Sequence, residues 1–78
     1  MLDYKNILKK INKYYIKNID IYNKEKLPKE FIIMKLYDLV LNILNQNTFN
    51  YQYIFKKEDL YFVSKYKINI FEVIEYII

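Results

Sequence analysis

Along residues 4–22 the apolar side chains Tyr4, Ile7, Leu8, Ile11, Tyr15, Ile19 and Tyr22 recur at spacings of three and four. That is the period of one helix face, and Asp3 stands where an N-cap is needed, so the pattern predicts a helix over residues 3–22. Residues 28–46 are apolar around most of a helical circumference, leaving only Lys35, Asp38, Asn42 and Asn45 as a narrow polar stripe. This predicts a central helix packed on several sides. Pro28 suits its first turn, where the missing N–H would be unpaired in any case. Two shorter helices are predicted at residues 58–66 and 70–77, with Asn69 placed to cap the second. Between them and the central helix the period changes: Phe49, Tyr51, Tyr53 and Phe55 alternate with polar Asn50 and Gln52, the spacing of a strand. A lone strand needs a partner for its backbone groups, from this chain or a second copy; otherwise an aromatic-rich irregular segment is expected. The expected fold is therefore all-α, or mainly α with one short strand or extended segment near residues 48–56. It is a compact bundle of about four helices in a single domain spanning residues 1–78.

Composition sharpens this picture. The 78 residues include 14 Ile, 10 Tyr, 8 Leu and 5 Phe, with no Gly, Ala, Cys or His and one Pro. A short chain has little interior, but each of these bulky side chains adds about 1.5–3 kcal/mol when buried, so a core forms without disulfides. The absence of cysteine fits a reducing compartment, and a cytoplasmic location is expected. No apolar run has the length of a membrane span, and residues 1–10 lack the apolar region of an export signal. All 13 basic residues are Lys, none Arg, as a strongly AT-biased genome would encode; that bias lowers the functional weight of any single Lys, Asn or Tyr.

Charge is distributed unevenly. Residues 1–19 carry five Lys and one Asp, whereas residues 20–78 carry eight Lys against eight acids, so the whole net charge of +4 lies on the first helix. Lys5, Lys9, Lys10, Lys13 and Lys17 fall on an arc opposite the apolar stripe. Such an arc binds phosphates, an anionic surface or an acidic protein patch, or is simply a solvated face. Tyr14, at the edge of the stripe, is the tyrosine expected to be free for stacking or contact.

Near the C-terminus Phe62, Tyr66, Ile68, Val73 and Tyr76 have the apolar spacing of a helix-turn-helix, and residues 59–77 resemble that family. Two positions depart from it: Val63 stands where the family usually has a small residue for close helix approach, and Lys67 where it usually has a turn glycine. The resemblance implies a steeply crossed helix pair, with Asn69, Ile70, Phe71, Ile74 and Glu75 facing a DNA groove. Of these only Asn69 has the chemistry to read base edges, and Glu72 and Glu75 would meet phosphates with like charge. Alternatively the last helix is a packing element, or a protein-binding one with Phe71, Ile74 and Ile78 as anchors.

Catalytic chemistry is poorly supplied. Without His, Cys or Arg, and with Ser64 and Thr48 as the only aliphatic hydroxyls, a nucleophile beside an imidazole base cannot be assembled. Glu72 and Glu75 share a face, but carboxylates at that spacing are usually solvated, and no region supplies a carboxylate cage for a metal. No enzyme activity, metal or cofactor is expected. The expected function is a small binding protein acting stoichiometrically on a protein or nucleoprotein partner, by analogy of size and composition an anti-CRISPR-like, phage-type inhibitor of a host defence nuclease. Its contacts would be the lysine arc and the aromatic and apolar set Tyr14, Phe71, Ile74 and Ile78. The alternatives are a helix-turn-helix transcriptional regulator using Asn69 and the lysines on nucleic acid, and a helical bundle like a bacteriocin immunity protein. A homodimer through residues 49–55 or the Phe71 face is also expected, because so much apolar side chain is more than one small core is expected to hold.

Overall fold

A computed structural model of the chain describes residues 3–23, 27–46 and 54–78. Among these residues the fold is all-α, with five helices: α1 (Tyr4–Lys17), α2 (Ile19–Asn23), α3 (Lys29–Gln46), α4 (Lys57–Lys65) and α5 (Ile70–Ile77). Most of the segment expected to alternate as a strand, and with it most of the dimer contact placed at residues 49–55, lies outside the described residues; residues 54–56 form no strand. None of the described helices is long and apolar enough to cross a membrane.

The first helix begins as the sequence implies. The Asn6 N–H donates to Asp3 Oδ1 at 3.1 Å, satisfying one of the orphan donors of the first turn. It ends earlier than expected, at Asn18. There the Asn18 Nδ2 donates to the Tyr14 carbonyl at 2.9 Å, while its backbone N–H is shared between the Tyr14 and Tyr15 carbonyls. An asparagine side chain that competes for the helix's own acceptors favours a break, and the predicted single helix becomes α1 and the short α2. The break changes the phase of the stripe: Ile19 is exposed, whereas Tyr22 is almost wholly buried. Tyr4, the first residue of the stripe, is exposed as well.

α3 opens with the Pro28 carbonyl accepting from the Phe31 and Ile32 N–H groups. It buries Ile32, Ile33, Leu36, Leu39, Val40 and Ile43 against α1 and α5, and these three helices make the close-packed centre of the bundle. α4 is joined to that centre mainly by long side chains. A row of rings runs outward from α1 and α2: Tyr15 stacks on Tyr22 at 5.3 Å, Tyr22 lies 5.6 Å from Tyr66, and Tyr66 lies 5.0 Å from Phe62. Ring pairs at these separations add roughly 0.5–1.5 kcal/mol each beyond their burial. On the other side of α4, Lys35 of α3 is hydrogen-bonded and ion-paired to the buried Asp59, whose second oxygen accepts the Lys56 N–H at 3.0 Å. One carboxylate thus closes the N-terminus of α4 and ties it to α3.

The turn between α4 and α5 explains one departure from the helix-turn-helix pattern. The Ile68 N–H donates to the Val63 carbonyl at 2.9 Å and the Lys67 N–H to the Ser64 carbonyl at 3.2 Å, the paired bonds of a Schellman ending. Such an ending requires a left-handed residue, and Lys67 occupies it with φ 52°. The position where the helix-turn-helix pattern usually has a glycine is thus left-handed here and is filled by a lysine. Because a Cβ is unfavourable in that conformation, Lys67→Gly should raise stability by about 0.5–1 kcal/mol, the relief exceeding the added unfolded-chain entropy. Urea midpoints of the two proteins check this, and an unchanged or lowered midpoint would contradict it.

Candidate binding surfaces

The lysine arc divides when α5 packs beside it. Lys5, Lys9, Lys13 and Lys17 are exposed, but Lys10 is partly buried and its Nζ donates to the Ile77 carbonyl at 2.8 Å. A cation on the last carbonyls of a helix is a favourable placement, so Lys10 belongs to the α1–α5 contact. Lys17 also reaches across, its Nζ lying 5.6 Å from the centre of the Tyr76 ring.

Two of the expected anchors are not on the surface. Tyr14 is 5% exposed and meets Tyr76 edge to face at 5.7 Å. Burial first, and then the nearby Glu72 carboxylate, push its phenol above the ordinary value. The wheel of α1 alone places Tyr14 at the margin of the stripe; the docking of α5 on that side widens the buried arc to include it. Ile74 is 2% exposed, and with Ile70, Val73 and Ile77 forms the inner face of α5. Ile70 and Ile74 are thus two of the five positions that would face DNA in a helix-turn-helix, and both point into the core. Phe71 and Ile78 remain exposed. Asn69 is the N-cap of α5: its Oδ1 accepts the N–H groups of Phe71 and Glu72 at 3.1 and 3.2 Å.

A surface that periodicity did not single out lies between the start of α3 and α4. Phe31 and Tyr61, 52% and 67% exposed, stand with Leu27 over a floor made by Phe62 and Tyr66, enclosing a groove of about 250 Å³. It lies beside the Lys35–Asp59 link between α3 and α4, with Lys35 in its wall. Lys35, Glu58 and Lys65 complete its walls, and the Lys65 ammonium lies 5.8 Å from the Tyr61 ring centre. The signal available in the sequence was that Phe31 and Tyr61 fall off the buried faces of their helices. In so apolar a chain that signal is easily absorbed into the core.

A second, polar recess is bounded by Asp38, Asn42, Asn45 and Lys56 beside the Lys35–Asp59 pair. Among the described residues no three His, Cys, Asp or Glu side chains converge as a metal site would require. No protein-family model, curated protein or solved structure matches this chain.

Proposed function

We propose that the protein is a stoichiometric, non-enzymatic binder whose α3–α4 groove holds an apolar segment of a protein or nucleoprotein partner. The observation that carries this reading is the pair of large aromatic side chains, Phe31 and Tyr61, standing exposed over a buried aromatic floor. Exposed aromatics around a pocket are the usual material of binding hot spots, and rings supply contact area at low rotamer cost. Lys35, Glu58 and Lys65 give the rim charges of both signs, which suits an apolar anchor flanked by polar residues. A binder of this kind works by covering a partner's surface; a mobile-element inhibitor of a host defence nuclease is the setting we attach to it, on size and composition.

The test uses the partner captured by the wild-type chain from its native host, then reconstituted at defined stoichiometry. Phe31→Ala and Tyr61→Ala should each weaken a one-to-one complex by about 2 kcal/mol, roughly thirtyfold, without changing thermal unfolding by a comparable amount. Replacing the four exposed α1 lysines by Gln should change it little. If instead the aromatic variants bind normally and the lysine variants fail, with a log–log salt slope of about −3 to −4, the chain is a nucleic-acid binder. A DNA-reading helix-turn-helix has less support, since α5 exposes Phe71, Glu72, Glu75 and Tyr76, two carboxylates and no base-reading donor of the Arg, Lys, Asn or Gln kind.

A further inference from the structure

We infer that the face shared by α1 and α5 docks a second copy of this chain across a two-fold axis. The two helices are joined along a seam made by the Lys10–Ile77 hydrogen bond, the Tyr14–Tyr76 ring pair and the Lys17 ammonium over Tyr76. To the α1 side of the seam Lys9, Lys13 and Lys17 are exposed; to the α5 side Glu72, Glu75 and Phe71 are exposed. Among the described residues the one ion pair is Lys35–Asp59, at the far side of α3, so these charges are not neutralised by ion pairs there. The face is therefore bipolar, a positive band beside a negative band with Tyr76 between them.

That arrangement decides the occupant. A nucleic acid or an acidic protein satisfying the lysines would bring negative charge against Glu72 and Glu75. A purely apolar partner would strip water from both bands without replacing it. A two-fold axis through the seam exchanges the bands, setting the lysines of each copy on the glutamates of the other, which is the self-complementarity an isologous interface needs. Tyr76, partly exposed between the bands, supplies the apolar material at the centre of the interface. None of these residues lines the α3–α4 groove, so the dimer and the proposed function stand or fall separately.

The experiment is a charge exchange followed by sedimentation velocity at low salt. The wild-type chain should associate, and added salt should weaken it. Glu72→Lys with Glu75→Lys, and separately Lys13→Glu with Lys17→Glu, should each weaken self-association by about tenfold or more, because like charges now face each other. Far-UV circular dichroism verifies that both variants are folded. Mixed in equal amounts, the two variants should form a heterodimer, since one then presents only lysines and the other mainly glutamates across both halves of the interface. A wild-type chain that stays monomeric at high concentration, variants that associate like wild type, or folded variants that fail to pair on mixing would each overturn the inference.

Discussion

Replacing Tyr22 by alanine is expected to lower the unfolding free energy by about 3–5 kcal/mol, the range for deleting a buried aromatic side chain. Tyr22 is 1% exposed and sits in the middle of the ring series, touching Tyr15 on one side and Tyr66 on the other. Its loss removes two ring contacts at once and detaches α4 from the α1–α2 junction. Against the roughly 5–15 kcal/mol that holds a domain together, such a loss leaves little stability at ambient temperature. Tyr22→Phe keeps the rings and should change stability at neutral pH by about 1 kcal/mol or less; its effect appears in alkali. Burial, followed by the neighbouring Tyr14 hydroxyl and then Tyr15, raises the Tyr22 phenol well above its ordinary 10.0. The folded chain thus keeps a proton that the unfolded chain releases near pH 10, so the stabilisation is complete below that pH and is lost as pH rises towards the folded value. Urea unfolding at a series of alkaline pH values should show this decline in the wild type and a shallower one in Tyr22→Phe. Parallel curves would mean that the phenol does not carry it.

Asp59→Ala is expected to cost about 2–4 kcal/mol, somewhat below the loss for breaking a fully buried ion pair because Lys35 retains partial access to water. The substitution removes the partner of Lys35 and the acceptor of the Lys56 N–H together, and takes a negative charge from the N-terminal turn of α4, where the helix dipole favours one. The carboxyl's acidity follows from the same geometry. Burial acts to raise its pKa, but the Lys35 hydrogen bond, the Lys56 N–H and the two ammonium charges outweigh it, and the net shift is downward. A lowered pKa stabilises the fold above the ordinary carboxylate value, and this contribution is lost as pH falls through the folded pKa. Asp59→Asn should therefore flatten the acid side of the stability profile, and an unchanged acid limb would contradict this assignment.

Helix positions and caps were legible in the sequence because period and capping chemistry are local. Asp3 and Asn69 cap as their side chains suggest, and the inner face of α3 is the one its narrow polar stripe implies. What was not legible depends on which helix lies beside which. Tyr14 could be assigned to the core only by knowing that α5 covers that flank of α1, and Ile74 only by knowing which side of α5 meets α1 and α3. Lys10 shares the arc of its neighbours on a helical wheel, yet it is the one that reaches the Ile77 carbonyl. Asn18 was visible, but the same side chain mid-helix is often harmless; its carbonyl-seeking contact became decisive where Tyr22 had to turn inward. The groove was hidden for a related reason, since Phe31 and Tyr61 look like core residues until the spacing of α3 and α4 is known.

The left-handed Lys67 links this backbone to the genetic code. Gly, Ala and Arg, absent here, are all encoded by GC-rich families or have such codons, whereas Lys, Asn and Ile are spelled largely with A and T. No single-nucleotide change converts a lysine codon into a glycine codon, while a third-position change gives asparagine, the other residue that visits this conformation readily. The turn is therefore one nucleotide change from a milder solution and two from the best one. Lys67→Asn is the substitution expected to recur among descendants of this chain selected for heat resistance.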